Sequence, residues 1–267
     1  MILLSIITVT KNDFDRLEKT ISSMHFYYND KFFEHIIIDG NSSDKTIPFI
    51  KKKLKKEKNI TFKSSNDNGI YDAMNVGIDL SNGEFILFLN AGDKLIADKF
   101  ELLKKINKYI GLEPHILCFP FSQVFMEQII ERFPKKKSLD KLPTSHQAMV
   151  FSKKFLQVSK YNLSYKIASD FDLYSQSDKS KVYFVSNFTV LTMVEGEGVA
   201  SQNFLLSYLE YLKIISNRYS GLLRLILLLK VICKIFIITI FKLLLTKSFF
   251  VKLKKVLYQL LEKKYNF

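Results

Sequence analysis

The sequence predicts an α/β domain on a mostly parallel sheet, followed by a basic helical tail. Largely apolar runs recur at residues 2–10, 33–38 and 84–89, the pattern of strands covered on both faces, and residues 60–64 read as a further short strand. Stretches with apolar residues at helical spacing separate them, giving a βαβ series whose sheet is parallel. Charge marks the tail. Of a net charge of +14, residues 201–267 hold 12 Lys/Arg against 2 Asp/Glu, which leaves 28 against 24 for residues 1–200. At 267 residues and 48% apolar content the chain holds one large α/β domain, residues 1–200, with an appendage, residues 201–267.

Residues 2–10 end in Thr8-Val9-Thr10-Lys11-Asn12 and read as the first buried strand. No basic region precedes them and no small-residue cleavage site follows, so they are not a signal peptide and the chain is expected to start in the cytoplasm. Asn12 or Asp13 caps a helix carrying Leu17, Ile21 and Met24. The second strand runs into Asp39-Gly40-Asn41-Ser42-Ser43-Asp44. The helix after it shows Ile47, Ile50 and Leu54 on one face and a solvated lysine run. A short third strand leads to Asp67-Asn68-Gly69, turn chemistry that opens a helix with Ile70, Ala73, Met74 and Ile78 as its stripe. The fourth strand empties into Asn90-Ala91-Gly92-Asp93.

Beyond it, residues 100–110 form an amphipathic helix, residues 115–121 and 124–133 a strand pair, and residues 134–143 a basic loop able to sit over a site. Residues 182–185 and 188–194 read as a closing hairpin. Cys118 and Cys233 both lie in apolar segments without metal-ligand spacing, which fits reduced core thiols.

Each early strand delivers a polar loop to one edge of the sheet, where open α/β sheets bind ligands. No Gly-x-Gly-x-x-Gly or Walker-type Gly-Lys-Ser/Thr occurs, so neither a dinucleotide fold nor a P-loop is supported. The loops are Asx-rich instead. Asp39 suits hydrogen bonding to a base or ribose, or else capping a turn. A flexible Gly beside the Asp93 carboxylate is where a hard cation and a diphosphate meet, the alternative being a loop whose Asn and Asp cap the next helix.

Six segments in order, Ser5-Ile-Ile-Thr-Val-Thr-Lys-Asn12, Ile38-Asp39-Gly-Asn-Ser-Ser-Asp44, Asp67-Asn-Gly-Ile-Tyr-Asp-Ala-Met-Asn75, Phe88-Leu-Asn-Ala-Gly-Asp93, His146-Gln147 and Ala168-Ser-Asp-Phe-Asp172, resemble the family 2 glycosyltransferases of GT-A fold, a Rossmann-like architecture. The resemblance covers about residues 1–200 and is to the short bacterial enzymes that build surface polysaccharides. It implies an inverting hexosyl- or N-acetylhexosaminyltransferase that moves one sugar from a nucleoside diphosphate sugar, UDP-linked, to a glycan hydroxyl, lipid-linked, for capsule, O-antigen or exopolysaccharide. By position, Thr8, Asp39 and Asp67 contact the nucleoside. Thr10, Asn12, Gly69, Asp72 and Asn75 line the donor site, as do Asn90 and Ala91, and His146 touches the diphosphate or acceptor or is structural.

Asp93 is the surviving carboxylate of the D-x-D signature, to hold Mn or Mg as a Lewis acid, and Asp170 falls at the catalytic base. Asp172 is the alternative base. The fuller D-x-D-D form is thinned here to Asn90-Ala91-Gly92-Asp93, which keeps a non-catalytic membrane-bound scaffold on the same fold as the competing function. The Q-x-x-R-W signature of processive synthases is missing from a chain without Trp, as expected for single-sugar transfer.

In residues 222–245, no run reaches about 18 uncharged residues, so a transmembrane helix is not expected. Arg224, Lys230, Lys234 and Lys242 gather on one side and leave a wide apolar face. That is the pattern of a helix lying in the plane of an anionic bilayer, here the inner face of the cytoplasmic membrane, or of one packed on the domain or on another subunit. A peripheral location on the cytoplasmic side, with oligomerisation through the tail as an option, is the expectation. Nucleic acid is not expected as a partner, because the basic residues alternate with long aliphatics rather than stacking aromatics.

Overall fold

The computed structural model describes residues 1–125, 128–135, 138–195 and 203–244. The chain divides into two compact units, Met1–Val199 and Ala200–Phe267. The segment 196–202 and residues 245–267 of the tail lie outside the described residues.

In the first unit the four expected strands form β1 (Leu4–Thr10), β2 (Phe33–Asp39), β3 (Ile60–Ser64) and β4 (Phe85–Phe88), alternating with α1 (Phe14–Ser23), α2 (Thr46–Leu54) and α3 (Ile70–Leu80). β1 pairs in parallel with β2 on one side and β4 on the other, and β2 pairs in parallel with β3. The register sets Thr10 beside Asp39 and Asp39 beside Ser64, so the strands end level. Then come β5 (Lys94–Leu95), α4 (Lys99–Asn107), β6 (Ile116–Cys118), β7 (Phe121–Phe125), β8 (Gln128–Arg132), β9 (Met149–Ser152), α5 (Lys153–Val158), α6 (Ser169–Gln176), β10 (Val182–Phe184) and β11 (Thr192–Glu195). β9 runs antiparallel between β4 and β6, and β10 lies parallel to β6. Among the described residues the main sheet reads β10-β6-β9-β4-β1-β2-β3 and a smaller one β5-β11-β7-β8.

β1, β2 and β4, the inner strands of the parallel part, are buried along their whole length, whereas β3 at the edge buries only Ile60. Leu4, Ile6, Phe33, Ile37, Phe85 and Leu87 join Leu17 and Ile21 of α1, Ile50 of α2 and Leu102 and Ile106 of α4 in one buried cluster. On the other face α3 comes so close that a Cβ on Gly77 would lie 2.5 Å from Cγ2 of Ile7. At the amino edge the buried Glu34 accepts from the Ser5 hydroxyl, the Asn82 and Gly83 backbone N–H groups and the Asn82 amide, which fixes the turn into β4.

Several expectations are corrected. Ile70 is 42% exposed and Tyr71 takes its place in the buried stripe of α3. The strand pair is β7 with β8, because Pro120, which lacks an N–H, separates β7 from β6 in the main sheet. No hairpin closes the domain: β10 joins β6, while β11 pairs with β5 and β7 in the second sheet. Asp13 sits at the N-cap of α1 without a capping hydrogen bond from its side chain. Cys118 is buried, but Cys233 is exposed rather than in a core.

In the second unit α7 (Phe204–Arg218) and α8 (Gly221–Leu244) pack together, with the Lys234 ammonium 5.3 Å from the Tyr208 ring centroid. Leu227 and Val231 are buried on the side of α8 that carries Lys230 and Lys234, while Leu222, Leu225, Leu229, Ile232 and Phe236 are exposed. Among the described residues no helix is long and apolar enough to cross a membrane.

The close approach of the turn before β4 to β1 is testable. A Cβ at Gly83 would stand 2.6 Å from the Ser5 backbone nitrogen, so backbone must move. Gly83→Ala should lower stability by about 1–3 kcal/mol, read as a lower urea midpoint with unchanged slope. An unaltered midpoint would refute so tight a contact.

Candidate functional site

The carboxyl ends of β1, β2, β3 and β4 bring their loops to one edge. From β1 the order runs to β2 and β3 on one side, while β4 lies on the other; a crevice for ligand forms at such a reversal.

On the β2 side the loops are tied by polar side chains. Asp39 is 0% exposed, and its carboxylate accepts from the Ser42 N–H (3.0 Å), the Ser42 hydroxyl (2.5 Å) and the Ser64 hydroxyl (2.6 Å). It therefore shapes the loop, with three of its roughly four acceptor positions already taken. Asn12, at φ 50°, accepts from the Ser43 N–H at 2.7 Å, and its own N–H donates to the Ser42 hydroxyl at 2.7 Å. Thr8 is turned inward: its hydroxyl donates to the Leu89 carbonyl at 2.8 Å and meets His35 Nε2 at 2.9 Å. Thr10 closes β1 with a buried hydroxyl that has no partner.

Asp67 opens α3 by accepting from the Gly69 N–H at 3.1 Å. Its other oxygen stands 2.5 Å from where a Gly40 Cβ would be, so Gly40 leaves room for an acid beside the β2 loop. Gly69, at φ 117°, is the N-cap. Asp72 accepts from the Asn68 backbone N–H at 3.0 Å and amide at 3.1 Å, a local cap. Asn75 faces inward, exchanging two hydrogen bonds with the Tyr161 backbone (2.9 and 3.0 Å).

The loop after β4 is fastened to α1. The buried Thr20 hydroxyl accepts from the Gly92 N–H at 2.9 Å and donates to the Asp93 carbonyl at 2.8 Å, and the Gly92 N–H also reaches the Arg16 carbonyl at 3.1 Å. Ala91 is buried. The side-chain oxygen of Asn90 is buried with no partner among the described residues, as is the Thr10 hydroxyl. Asp93 is 3% exposed. Burial pushes its carboxyl up to about 7, against hydrogen bonds from the Gln147 side chain and the Glu195 backbone N–H and the attraction of Arg16, with the Glu195 charge adding to the rise. Glu195 itself pairs with Lys19 at 3.3 Å and Lys94 at 3.4 Å.

Asp170 lies half-buried in the first turn of α6 and accepts from the Phe171 N–H at 2.7 Å. The buried Tyr161 lies within reach of its charge, which adds to the burial that holds the phenol well above its ordinary value. Tyr161 stacks on Tyr71, whose hydroxyl donates to the Ile167 carbonyl at 2.6 Å, and bonds through its own hydroxyl to His146. His146 stacks on Phe88, and burial lowers its imidazole to about 4, so it is neutral and part of the packing. Asp172 is 1% exposed and accepts from the Gln176 amide at 3.1 Å.

These donors do not fit a divalent cation. Beside a diphosphate such an ion needs only one or two carboxylates, waters and phosphate oxygens completing its shell, but those carboxylates must be open to it. The loop offers one carboxyl, sealed and already bonded to Gln147 and the Glu195 N–H, one amide oxygen, and no side chain at Gly92. Among the described residues no group of three or more His, Cys, Asp or Glu gathers to hold a metal.

Sequence reasoning missed Arg16, Thr20, Tyr71, Tyr161 and Glu195, and gave Gln147 no role. One signal was available for Arg16: in a lysine-rich chain it is the only arginine before Arg132, and arginine is the better fork for phosphate.

The model of glycosyl transferase family 2 matches residues 5–169. A PGL/p-HBAD biosynthesis glycosyltransferase of Mycobacterium bovis (strain BCG / Pasteur 1173P2) is 31% identical over 153 residues, 52% of this chain and 56% of that protein, so the match spans little more than half of its relative. An uncharacterized glycosyltransferase of Mycobacterium tuberculosis is 28% identical over 184 residues, 62% of this chain and 65% of its own length. Among solved structures, residues 1–349 of S. aureus TarS in complex with UDP superpose with a TM-score of 0.66 at 17% identity, covering 92% of this chain and 76% of that one. A mannosyltransferase from Pyrobaculum calidifontis in complex with GDP-Man and Mn2+ gives 0.60 at 10% identity, covering 82% and 65%. At these identities the structures show a shared fold.

The buried acid predicts a pH dependence. Folded Asp93 keeps its proton to about 7 whereas an ordinary aspartate loses it near 3.8. The native state thus binds more proton between these values, and stability falls as pH rises through that window. Relative to Asp93→Asn, the protein should lose on the order of 4 kcal/mol between pH 4 and pH 7.5, followed by urea denaturation. A difference that stays flat with pH would mean the carboxyl is buried as the anion.

Proposed function

The chain belongs to glycosyl transferase family 2, and on that premise we propose that it moves a single sugar from a uridine diphosphate sugar to a hydroxyl of a lipid-linked glycan, with inversion, in surface polysaccharide synthesis. The donor lies over the β1–β4 reversal with its nucleoside toward the β2 and β3 loops. The UDP-bound TarS neighbour supports a uridine donor on this fold. The biosynthetic relative supports a glycoconjugate product.

The observation that carries the reading is the place of Asp170, a half-buried carboxylate joined to the start of α3 through Tyr161 and Tyr71. It takes the proton of the acceptor hydroxyl as that oxygen bonds to the anomeric carbon. The bond from that carbon to the diphosphate oxygen breaks on the opposite side, and the diphosphate leaves with the electron pair, hence inversion. Asp172, sealed in α6 and engaged by Gln176, is poorly placed for this. The mannosyltransferase neighbour is in complex with Mn2+, but no step here is routed through a metal, since the donors present do not fit one.

The second unit is proposed to hold the enzyme on the cytoplasmic face of the membrane. The exposed apolar side of α8 is offered to lipid, and the lysines sit on its other side. The protein should sediment with vesicles containing anionic phosphatidylglycerol. Leu229→Glu together with Phe236→Glu should weaken this by at least about tenfold, as expected from losing two buried apolar side chains. Sedimentation that ignores these changes would refute an in-plane helix.

Asp170→Asn should bind donor as the unaltered protein does and transfer about 10²–10⁴-fold more slowly, checked by calorimetry with UDP and by turnover of a nucleotide sugar panel on a lipid-linked acceptor. Full turnover in Asp170→Asn with loss in Asp172→Asn would move the base by two residues. A protein that binds UDP yet never transfers would favour the scaffold.

A further inference from the structure

Building on the nucleoside diphosphate donor proposed above, we propose that the guanidinium of Arg16 stands in for a divalent cation, so that this protein binds the donor diphosphate without metal. The loop after β4 is where a cation was expected from the sequence. The structure places a cation there, but it belongs to the chain. A Cβ built on Gly92 would come 2.5 Å from Nε, 2.8 Å from Nη2 and 3.0 Å from Cζ of Arg16. The guanidinium thus occupies the space into which a side chain at position 92 would project. An acid there would displace it, and the φ of +100° at Gly92 disfavours any side chain in addition.

Arg16 is also fixed in place. Its carbonyl accepts from the Gly92 N–H at 3.1 Å, and Thr20, one turn on in α1, clasps the same loop through two hydrogen bonds. Backbone and loop therefore move as one, which lowers the ordering cost of presenting the charged end. The side chain is 53% exposed, and its recorded ion pair is with Asp13, Nη1 to Oδ2 at 3.3 Å. That is a surface contact of the weak kind, which a diphosphate at the β1–β4 reversal can replace. A planar fork of N–H donors matches two phosphate oxygens at once. A metal ion held by Asn90 and Asp93 would instead face the guanidinium as a like charge and would need the Asp93 carboxyl turned out of its bonds with Gln147 and Glu195. Neutralising the leaving diphosphate, the task given to a Lewis acid, then falls to Arg16.

Calorimetry on the full chain distinguishes the two. UDP, GDP and dTDP, with their monophosphates, are titrated in EDTA and again with Mn2+, using the unaltered protein, Arg16→Gln and Arg16→Lys. The expected result is diphosphate binding in EDTA that Mn2+ changes by less than about twofold. Arg16→Gln should weaken the diphosphate by roughly 10–100-fold, as for loss of hydrogen bonds to a charged group, and the monophosphate far less, with Arg16→Lys in between. Binding that requires Mn2+ would overturn this inference and leave the donor assignment standing. Equal losses for monophosphate and diphosphate would overturn it too, since Arg16 would then only support the loop. No diphosphate binding under either condition would overturn both. Should Arg16→Gln fail to fold, Arg16→Lys carries the same comparison, and unchanged diphosphate binding in it would count against a forked contact.

Discussion

β1 is hydrogen-bonded on both sides to strands that run in its own direction, and the rest of the first unit follows from that. Parallel neighbours end at the same edge, so their loops are forced together there, while the chain order, β2 to one side and β4 to the other, parts them. Four loops crowded at one edge would collapse or wander unless each were tied. The ties are single side chains: Asp39 holding Ser42 and Ser64, Asn12 bridging to the β2 loop, and Thr20 clasping the loop after β4. A buried polar group left unbonded costs about 1–3 kcal/mol, so a loop arrangement that satisfies these groups excludes those that do not.

The second sheet depends on the same edge. β5 begins directly after Asp93, and β11 pairs with it so that the Glu195 N–H reaches the Asp93 carboxyl. Gln147, beside His146 in the turn before β9, reaches the same group. One acid therefore gathers the end of the main sheet, the start of the small sheet and the turn that packs on Phe88. Its burial is the reason the carboxyl holds its proton so far above the ordinary range. A group so used is spent as a metal ligand, which is the chemical reason the nearby guanidinium matters.

How much of this the sequence disclosed differs by element. The first four strands and three helices were legible because doubly covered strands such as β1, β2 and β4 and amphipathic helices leave local patterns. β6, β7, β10 and β11 are three to five residues long, and their partners lie far along the chain, so no local pattern says which sheet each joins. Within the site, the carboxylate at Asp170 and the loops of Asp39, Asp67 and Asn90 were visible as motifs, whereas the direction of each side chain was not. Thr8 shows the difference. It shares strand parity with Leu4 and Ile6, both in the cluster under α1, and so turns into the sheet. That alternation was there to be read, but the polar residue type outweighed it. His146 and Asn75 were misleading for a related reason: histidine and asparagine suit a ligand and a packed interior equally well, and only partners such as Phe88 and the Tyr161 backbone decide.

α3 supplies the last link between the two sides of the crevice. The turn that opens it holds Asp67 and Gly69 at the carboxyl edge of the sheet, while its buried face carries Tyr71 and Asn75, bonded to the Ile167 carbonyl and the Tyr161 backbone. A helix is stiff along its axis, so the loop after β3 and the segment leading to Asp170 keep their spacing without touching directly. Gly77 lets that helix lie hard against Ile7 of β1, which fixes both to the strand from which Arg16 also departs, by way of α1. The proposed acceptor base and the proposed diphosphate contact are thus referred to one strand by separate helices. In the proposed displacement the acceptor oxygen, which gives up its proton, and the diphosphate oxygen, which takes the charge, must lie in line through the anomeric carbon, and a common rigid reference is what holds the groups serving them within the small error that such a displacement tolerates.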